Sequence, residues 1–156
     1  MRFRTLFAVM AAAAATGALA AAPAHAATPG LVDGSLSALG YTCTFANAAT
    51  SDAPPATLVV NRTTIVPQCA ADISLTLANS PTISFNDTAG TASSPRIDVS
   101  GSAFGIACTY RVTNASVTRS GTTRTYTGGP FSASKISGSF LCPATTPVDS
   151  ATFTFH

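Results

Sequence analysis

The chain predicts an all-β fold, an antiparallel β-sandwich built from an internal duplication and held by two disulfides. Three observations carry that expectation. Beyond residue 26 the chain has no Glu, Met or Trp and a single lysine, Lys135. Good helix formers are therefore scarce, while Val, Ile, Thr, Phe and Tyr, which favour strands, are plentiful. Apolar side chains recur at every second residue, the period of a half-buried strand. Finally, a cysteine-bearing stretch occurs twice: SALGYTCTF at 37–45 and SAFGIACTY at 102–110. Seven of the fourteen positions from Val32 to Phe45 are identical to Ile97 to Tyr110 at a constant offset of 65.

Residues 1–26 are expected to be a signal peptide. Arg2 and Arg4 precede an apolar run from Leu6 to Ala22, and Ala24-His25-Ala26 is a small-x-small cleavage site. The expected mature chain starts at Ala27, leaving 156 − 26 = 130 residues. With Arg2 and Arg4 gone, eight basic residues become six against six Asp. A net charge of zero removes the electrostatic footing for nucleic-acid binding. The expected location is extracellular or at the cell envelope, reached by the general secretory route, with no membrane span after cleavage.

In chain order, the first strand element is Tyr41, Cys43 and Phe45 alternating with Thr42 and Thr44. Ala56 to Val66, between Pro54-Pro55 and Pro67, is expected to hold one or two strands. Ile73, Leu75 and Leu77 alternate cleanly, followed by Ile83 and Phe85. Residues 86–96, rich in Thr, Ala, Gly and Ser, read as a connector between a first β repeat at 27–85 and a second at 97–156. There, Ile106, Cys108, Tyr110 and Val112 alternate with Ala107, Thr109, Arg111 and Thr113. Ala115 to Arg119 and Thr122 to Thr127 flank Ser120-Gly121, a hairpin signal. Phe131 to Ile136 is the next strand, and Ala151, Phe153 and Phe155 close the chain. Gly40 and Gly105 occupy matching positions, expected to be bends or bulges.

Cys43, Cys69, Cys108 and Cys142 are each solitary, without the paired knuckles of a zinc site. In an exported chain an even number of such cysteines implies disulfides. The order of elements in each half favours Cys43–Cys69 and Cys108–Cys142, with two other connectivities open from sequence alone.

Gly105-Ile-Ala-Cys108-Thr-Tyr110, then Ser137-Gly-Ser-Phe-Leu-Cys142-Pro143 and the aromatic closing strand, form a distinctive set covering about 50 residues. This G-x-x-C-T-aromatic … S-G-S-x-x-C-P pattern resembles secreted Ala/Ser/Thr-rich proteins of high-GC Gram-positive bacteria. The resemblance implies a β-sandwich and carries no assigned activity. Cys142-Pro143-Ala144-Thr145 is similar to the reactive-loop entry of the subtilisin-inhibitor family, although the cysteine spacing differs and that family is not duplicated. The composition also looks similar to that of enediyne-binding apoproteins, whose disulfide loops are much shorter. No residues carry over from them, but their role keeps hydrophobic-ligand binding in view.

Few side chains are suited to catalysis. A hydrolytic triad needs an imidazole, and the sole histidine past residue 26 is His156, at a terminus where fraying is expected. Ser132-Ala-Ser-Lys135 has the spacing of a Ser-x-x-Lys motif. On a strand, however, those two side chains point to opposite faces, whereas the chemistry needs a helical turn. Asp33 and Asp98 are equivalent positions of the repeat but lack an Asp-Thr-Gly context. The aspartates are scattered singly, so neither calcium nor another metal is expected, and no cofactor is expected. Asn61, Asn86 and Asn114 fit glycosylation sequons, which arise cheaply in a Ser/Thr-rich chain. The candidate binding patch is Tyr110, Arg111, Arg119, Arg124 and Tyr126, gathered on one sheet of the second half. The expected function is a secreted non-enzymatic module with a binding or structural role toward an extracellular ligand or envelope component. The alternative is a secreted protease inhibitor with a reactive loop near Cys142-Pro143.

Overall fold

A computed structural model describes residues 28–70 and 73–156; the segment 1–26 assigned to the signal lies outside them. The described chain is all-β and antiparallel. Its strands are β1 (Gly30–Ala38), β2 (Tyr41–Thr50), β3 (Leu58–Val59), β4 (Gln68–Cys69), β5 (Ile73–Leu77) and β6 (Thr82–Asn86). They continue with β7 (Thr91–Ala103), β8 (Ile106–Arg119), β9 (Thr125–Gly128), β10 (Phe131–Gly138), β11 (Thr145–Val148) and β12 (Ser150–Phe155). Asn61 caps the one short 3-10 turn, Arg62–Thr64, by accepting from the Thr63 amide.

The strands form one hydrogen-bonded network in the order β3-β6-β7-β8-β9-β12-β1-β2-β4. β5 adds to β7, and β10 lies between β8 and β11. The layers expected of a sandwich are thus arms of a single sheet. At one end the path nearly returns on itself. Thr50, at the end of β2, bridges Val60, just past β3, and Ser51 N donates to Val59 O while Asn61 N donates to Ala49 O. Inside that end sits the packed core: Val32, Ala48, Leu58, Val60, Ala92, Tyr126 and Phe155. Phe85, Tyr126 and Phe155 meet there with centroids 5.1–5.9 Å apart, Phe155 standing edge to face against both others and Phe85 tilted at 56° to Tyr126, geometries their ring quadrupoles favour.

The two copies of the repeated stretch are the tips of the two long hairpins. Ala38 pairs with Tyr41 across Leu39-Gly40, and Ala103 pairs with Ile106 across Phe104-Gly105. Both central residues of each turn have positive φ: 53° and 79° in the first, 52° and 77° in the second. That is the signature of the two-residue type I′ turn, whose twist matches the flanking strands. Gly40 and Gly105 therefore reverse the chain, where a bend within a strand was expected. The difference is physical: a glycine with open space around it at positive φ serves a turn.

Residues 86–96 also differ from expectation. Asn86 Oδ1 accepts from Ala89 N at 2.9 Å, closing a tight turn, and Thr91 onward already belongs to β7. β7 pairs with β5 and β6 from the first half, and β1 pairs with β12 from the second. The halves are woven into one sheet.

Gly34 shows how the copies diverge. It pairs with Phe45, and a Cβ there would stand 2.3 Å from the Phe45 ring. The second copy has Val99 opposite Tyr110 at these positions. Gly34→Ala is expected to lower stability by about 1–3 kcal/mol through overpacking. An unchanged urea midpoint would show that the Phe45 ring moves aside freely.

Candidate functional site

Both cystines form within their own halves, Cys43–Cys69 and Cys108–Cys142. Cys43 and Cys69 face each other directly on β2 and β4. Cys142 instead tethers the loop after β10 to β8. These bridges anchor opposite walls of the molecule's main concavity.

Beyond the packed core, whose Val32, Val60, Ala92 and Phe155 also border it, the sheet's arms stand apart around an apolar trough of about 470 Å³. One wall is the inward face of β5, β7 and β8, through Leu75, Val99, Ile106 and Tyr110. The opposite wall comes from β1 and β2, through Leu36, Tyr41 and Cys43. Period-two alternation built these faces: odd-numbered residues of β5 and of β7 from Ile97 on, and even-numbered residues of β8 as far as Val112, point inward. The parity switches at Pro95 and at Asn114, beyond which Ala92, Ala115 and Val117 face the interior. No charged side chain lines the trough among the described residues. Its wall residues Leu75 and Val99 are half-buried, unlike the core at the closed end.

The mouth is formed by three loops. Leu39 and Phe104, at the hairpin tips, and Leu141, on the loop after β10, all border the trough. They are 62%, 85% and 60% exposed, and neighbouring Phe140 is 90% exposed. The third loop is firmly held. Lys135 Nζ donates to the carbonyls of Cys142 and Ser139 at 3.0 and 3.5 Å, and the Tyr110 hydroxyl donates to Pro143 O at 3.3 Å. Lys135 is thus a loop clamp; Ser132, its motif partner, pairs with Pro147 of β11.

The five residues of the candidate patch fall into two groups. Arg119, Arg124 and Tyr126 meet, with Arg124 Nη1 donating to the Tyr126 hydroxyl at 3.4 Å, while Tyr110 and Arg111 lie elsewhere on β8. Tyr126 is fully buried in the core, and Tyr110 lines the trough. Arg111 Nε donates to Asp98 Oδ1 at 2.7 Å, and Arg96 Nε donates to Asp98 Oδ2 at 2.8 Å. Arg119 lies at the far end of β8, about 26 Å from Arg111 at the usual strand rise, and Arg124, just before β9, shares its partner. There Arg124 Nη1 meets Asp87 Oδ1 at 2.6 Å and Arg119 Nη1 meets it at 3.2 Å. The arginines are consumed by two separate ion-pair centres that tie strands together.

Asp98 is buried, and the Arg111 and then Arg96 guanidiniums hold its carboxyl well below the ordinary carboxylate range. Asp87 is lowered as well, chiefly by its bond from Arg124. Asp33 is lowered first by the backbone amide of Asn47, at 2.7 Å, and then by His156. His156 does not hang free: its Nε2 lies 2.9 Å from Asp33 Oδ2, and its amide donates to Leu31 O. Asp33 and Asp98 therefore serve different partners and form no carboxylate pair. The three sequon asparagines have local structural roles, at the 3-10 cap, in the 86–89 turn and at a left-handed position, φ 51° for Asn114.

The trough was missed by sequence reasoning. Alternation marks which face of a strand is apolar, but not how far apart two apolar faces stand. The paired tips did leave a signal: Leu39 and Phe104 occupy the same place in both copies, where a turn would ordinarily carry Asn or Gly. Comparison with family models, curated proteins and solved structures finds no match to this chain.

Proposed function

We propose that the chain is an exported, non-enzymatic binding module that takes an apolar or weakly polar small molecule into the trough. One observation carries this: a concavity of about 470 Å³ walled by apolar side chains without a charge, within the size range of small-molecule sites. The signal-like N-terminus and two cystines support an extracellular or envelope location. The motif resemblance to secreted proteins of high-GC Gram-positive bacteria belongs with the same proposal. So does an internal duplication as the origin of the matched hairpins. Against an enzyme stands the use of His156, the one imidazole past residue 26, in a pair with Asp33, neither of which lines the trough.

The test is uptake of the uncharged probe N-phenyl-1-naphthylamine by the chain from Ala27 with both disulfides formed. Saturable fluorescence enhancement is expected, with a Kd on the order of 1–100 μM for a ligand of this size. Val99→Glu, which puts a carboxylate on the trough wall, is expected to weaken uptake at least tenfold with the circular dichroism unchanged. Absence of saturable uptake by the unaltered chain overturns the proposal.

Protease inhibition through the loop near Cys142-Pro143 is the second function in view, favoured by the exposure of Phe140 and Leu141 on a disulfide-anchored loop. Its geometry speaks for the first. Cys142 N donates to Ser139 O, curling the segment into a turn, whereas peptide recognition by strand addition wants extended backbone. Stoichiometric titration against a subtilisin-like and a trypsin-like protease separates the two.

A further inference from the structure

Leu39 and Phe104 are expensive residues where they stand. A bulky side chain at positive φ is strained, and type I′ turns ordinarily place Asn, Asp or Gly there. Neither side chain gains burial in return, at 62% and 85% exposure. Strain held at an exposed position in both hairpins points to function rather than folding.

The surroundings narrow that function. No Asp, Glu, Lys or Arg occurs in 34–51, 99–110 or 136–148. Yet these three segments hold Leu39, Tyr41, Phe104, Ile136, Phe140 and Leu141, six of the nine exposed large apolar side chains among the described residues. A specific protein partner would ordinarily be met by arginines and a hydrogen-bonding rim. Here apolar side chains project from separate loops around an apolar opening, with no charge to attract an ionic surface. Amphipathic insertion into a soft acyl layer needs nothing more.

We propose that the three loops dock the protein, tips inward, on an uncharged lipid surface, so that the trough opens toward the acyl chains. The proposal extends the assignment of the trough as a ligand site and rests on it only for what enters.

The test is flotation of the disulfide-bonded chain from Ala27 with phosphatidylcholine vesicles. Binding is expected, unchanged between 0.1 and 1 M salt and unchanged when phosphatidylglycerol is included. The double substitution Leu39→Asn and Phe104→Asn suits the left-handed turns, so the fold should persist with an undiminished Tm. Vesicle binding should fall about 100-fold, as removal of two inserted apolar side chains implies. Three outcomes overturn the proposal: no binding to phosphatidylcholine, binding retained by the double variant, or binding that needs anionic lipid and vanishes in salt. A tip-dependent dimer in sedimentation without vesicles overturns it too, assigning the tips to a second copy. Failure of the ligand assignment is read separately: Val99→Glu should lose probe uptake yet keep vesicle binding.

Discussion

Replacing Arg96 and Arg111 together by methionine is expected to cost about 3–5 kcal/mol of stability at pH 7. Asp98 would then be a buried carboxylate with neither guanidinium. Its side chain is only 4% exposed, whereas those of Arg96 and Arg111 are 54% and 33% exposed. The imbalance makes the reciprocal change milder, since Asp98→Leu leaves two guanidiniums that reach water. Urea unfolding decides the point, and an Asp98→Leu loss larger than that of the double variant would refute the assignment. Acid should show the same centre. The folded state keeps Asp98 ionised far below the ordinary carboxylate range, while the unfolded chain protonates near 4. Its contribution is therefore complete above about pH 5 and drains as pH falls below about 4. In the arginine-free variant, burial raises the Asp98 pKa, so the sign reverses and stability declines as pH rises through that value.

Removing the Cys108–Cys142 bridge by double alanine substitution is expected to lower stability by about 3–4 kcal/mol, from the chain entropy of a loop closed across a separation of 34 residues. The Cys43–Cys69 bridge, with a separation of 26, should give a slightly smaller loss. The two differ more in their local effect. Cys142 holds the loop bearing Phe140 and Leu141, so its removal should open residues 139–144 to limited proteolysis at low denaturant. An unchanged midpoint together with a resistant loop would show that Lys135 and Tyr110 hold that segment without the cystine.

The fold was largely legible because alternation is a local property of each strand. Ile73, Leu75 and Leu77, or Ala151, Phe153 and Phe155, announce an apolar face without reference to a partner. Thr145–Val148 was not expected as a strand, since Pro147 cannot donate to a ladder; it fits because β11 is an edge paired only with β10. The within-half cystines followed from the order of elements. The arginine patch failed for a long-range reason. Arg119 and Arg124 find Asp87 across separations of 32 and 37 residues, and nothing local announces such partners. The hairpin turns were obscured by the very residues that make them interesting, Leu and Phe where Asn-Gly would have signalled a reversal.

The pairing of β1 with β12 bears on how this molecule comes into being. β12 is the last of the described strands, yet it sits inside the sheet between β9 and β1, in register with β1 from Val32 to Ser37. The first strand thus waits for the final six strand residues before its ladder is complete on both sides. Closing contacts of such sequence separation are slow to form, because a long loop must be ordered before any bond rewards it. A chain of this topology cannot complete its sheet until residues 150–155 are available, so β1 stays open on one side through the stage at which the proposed export would thread the chain through a membrane.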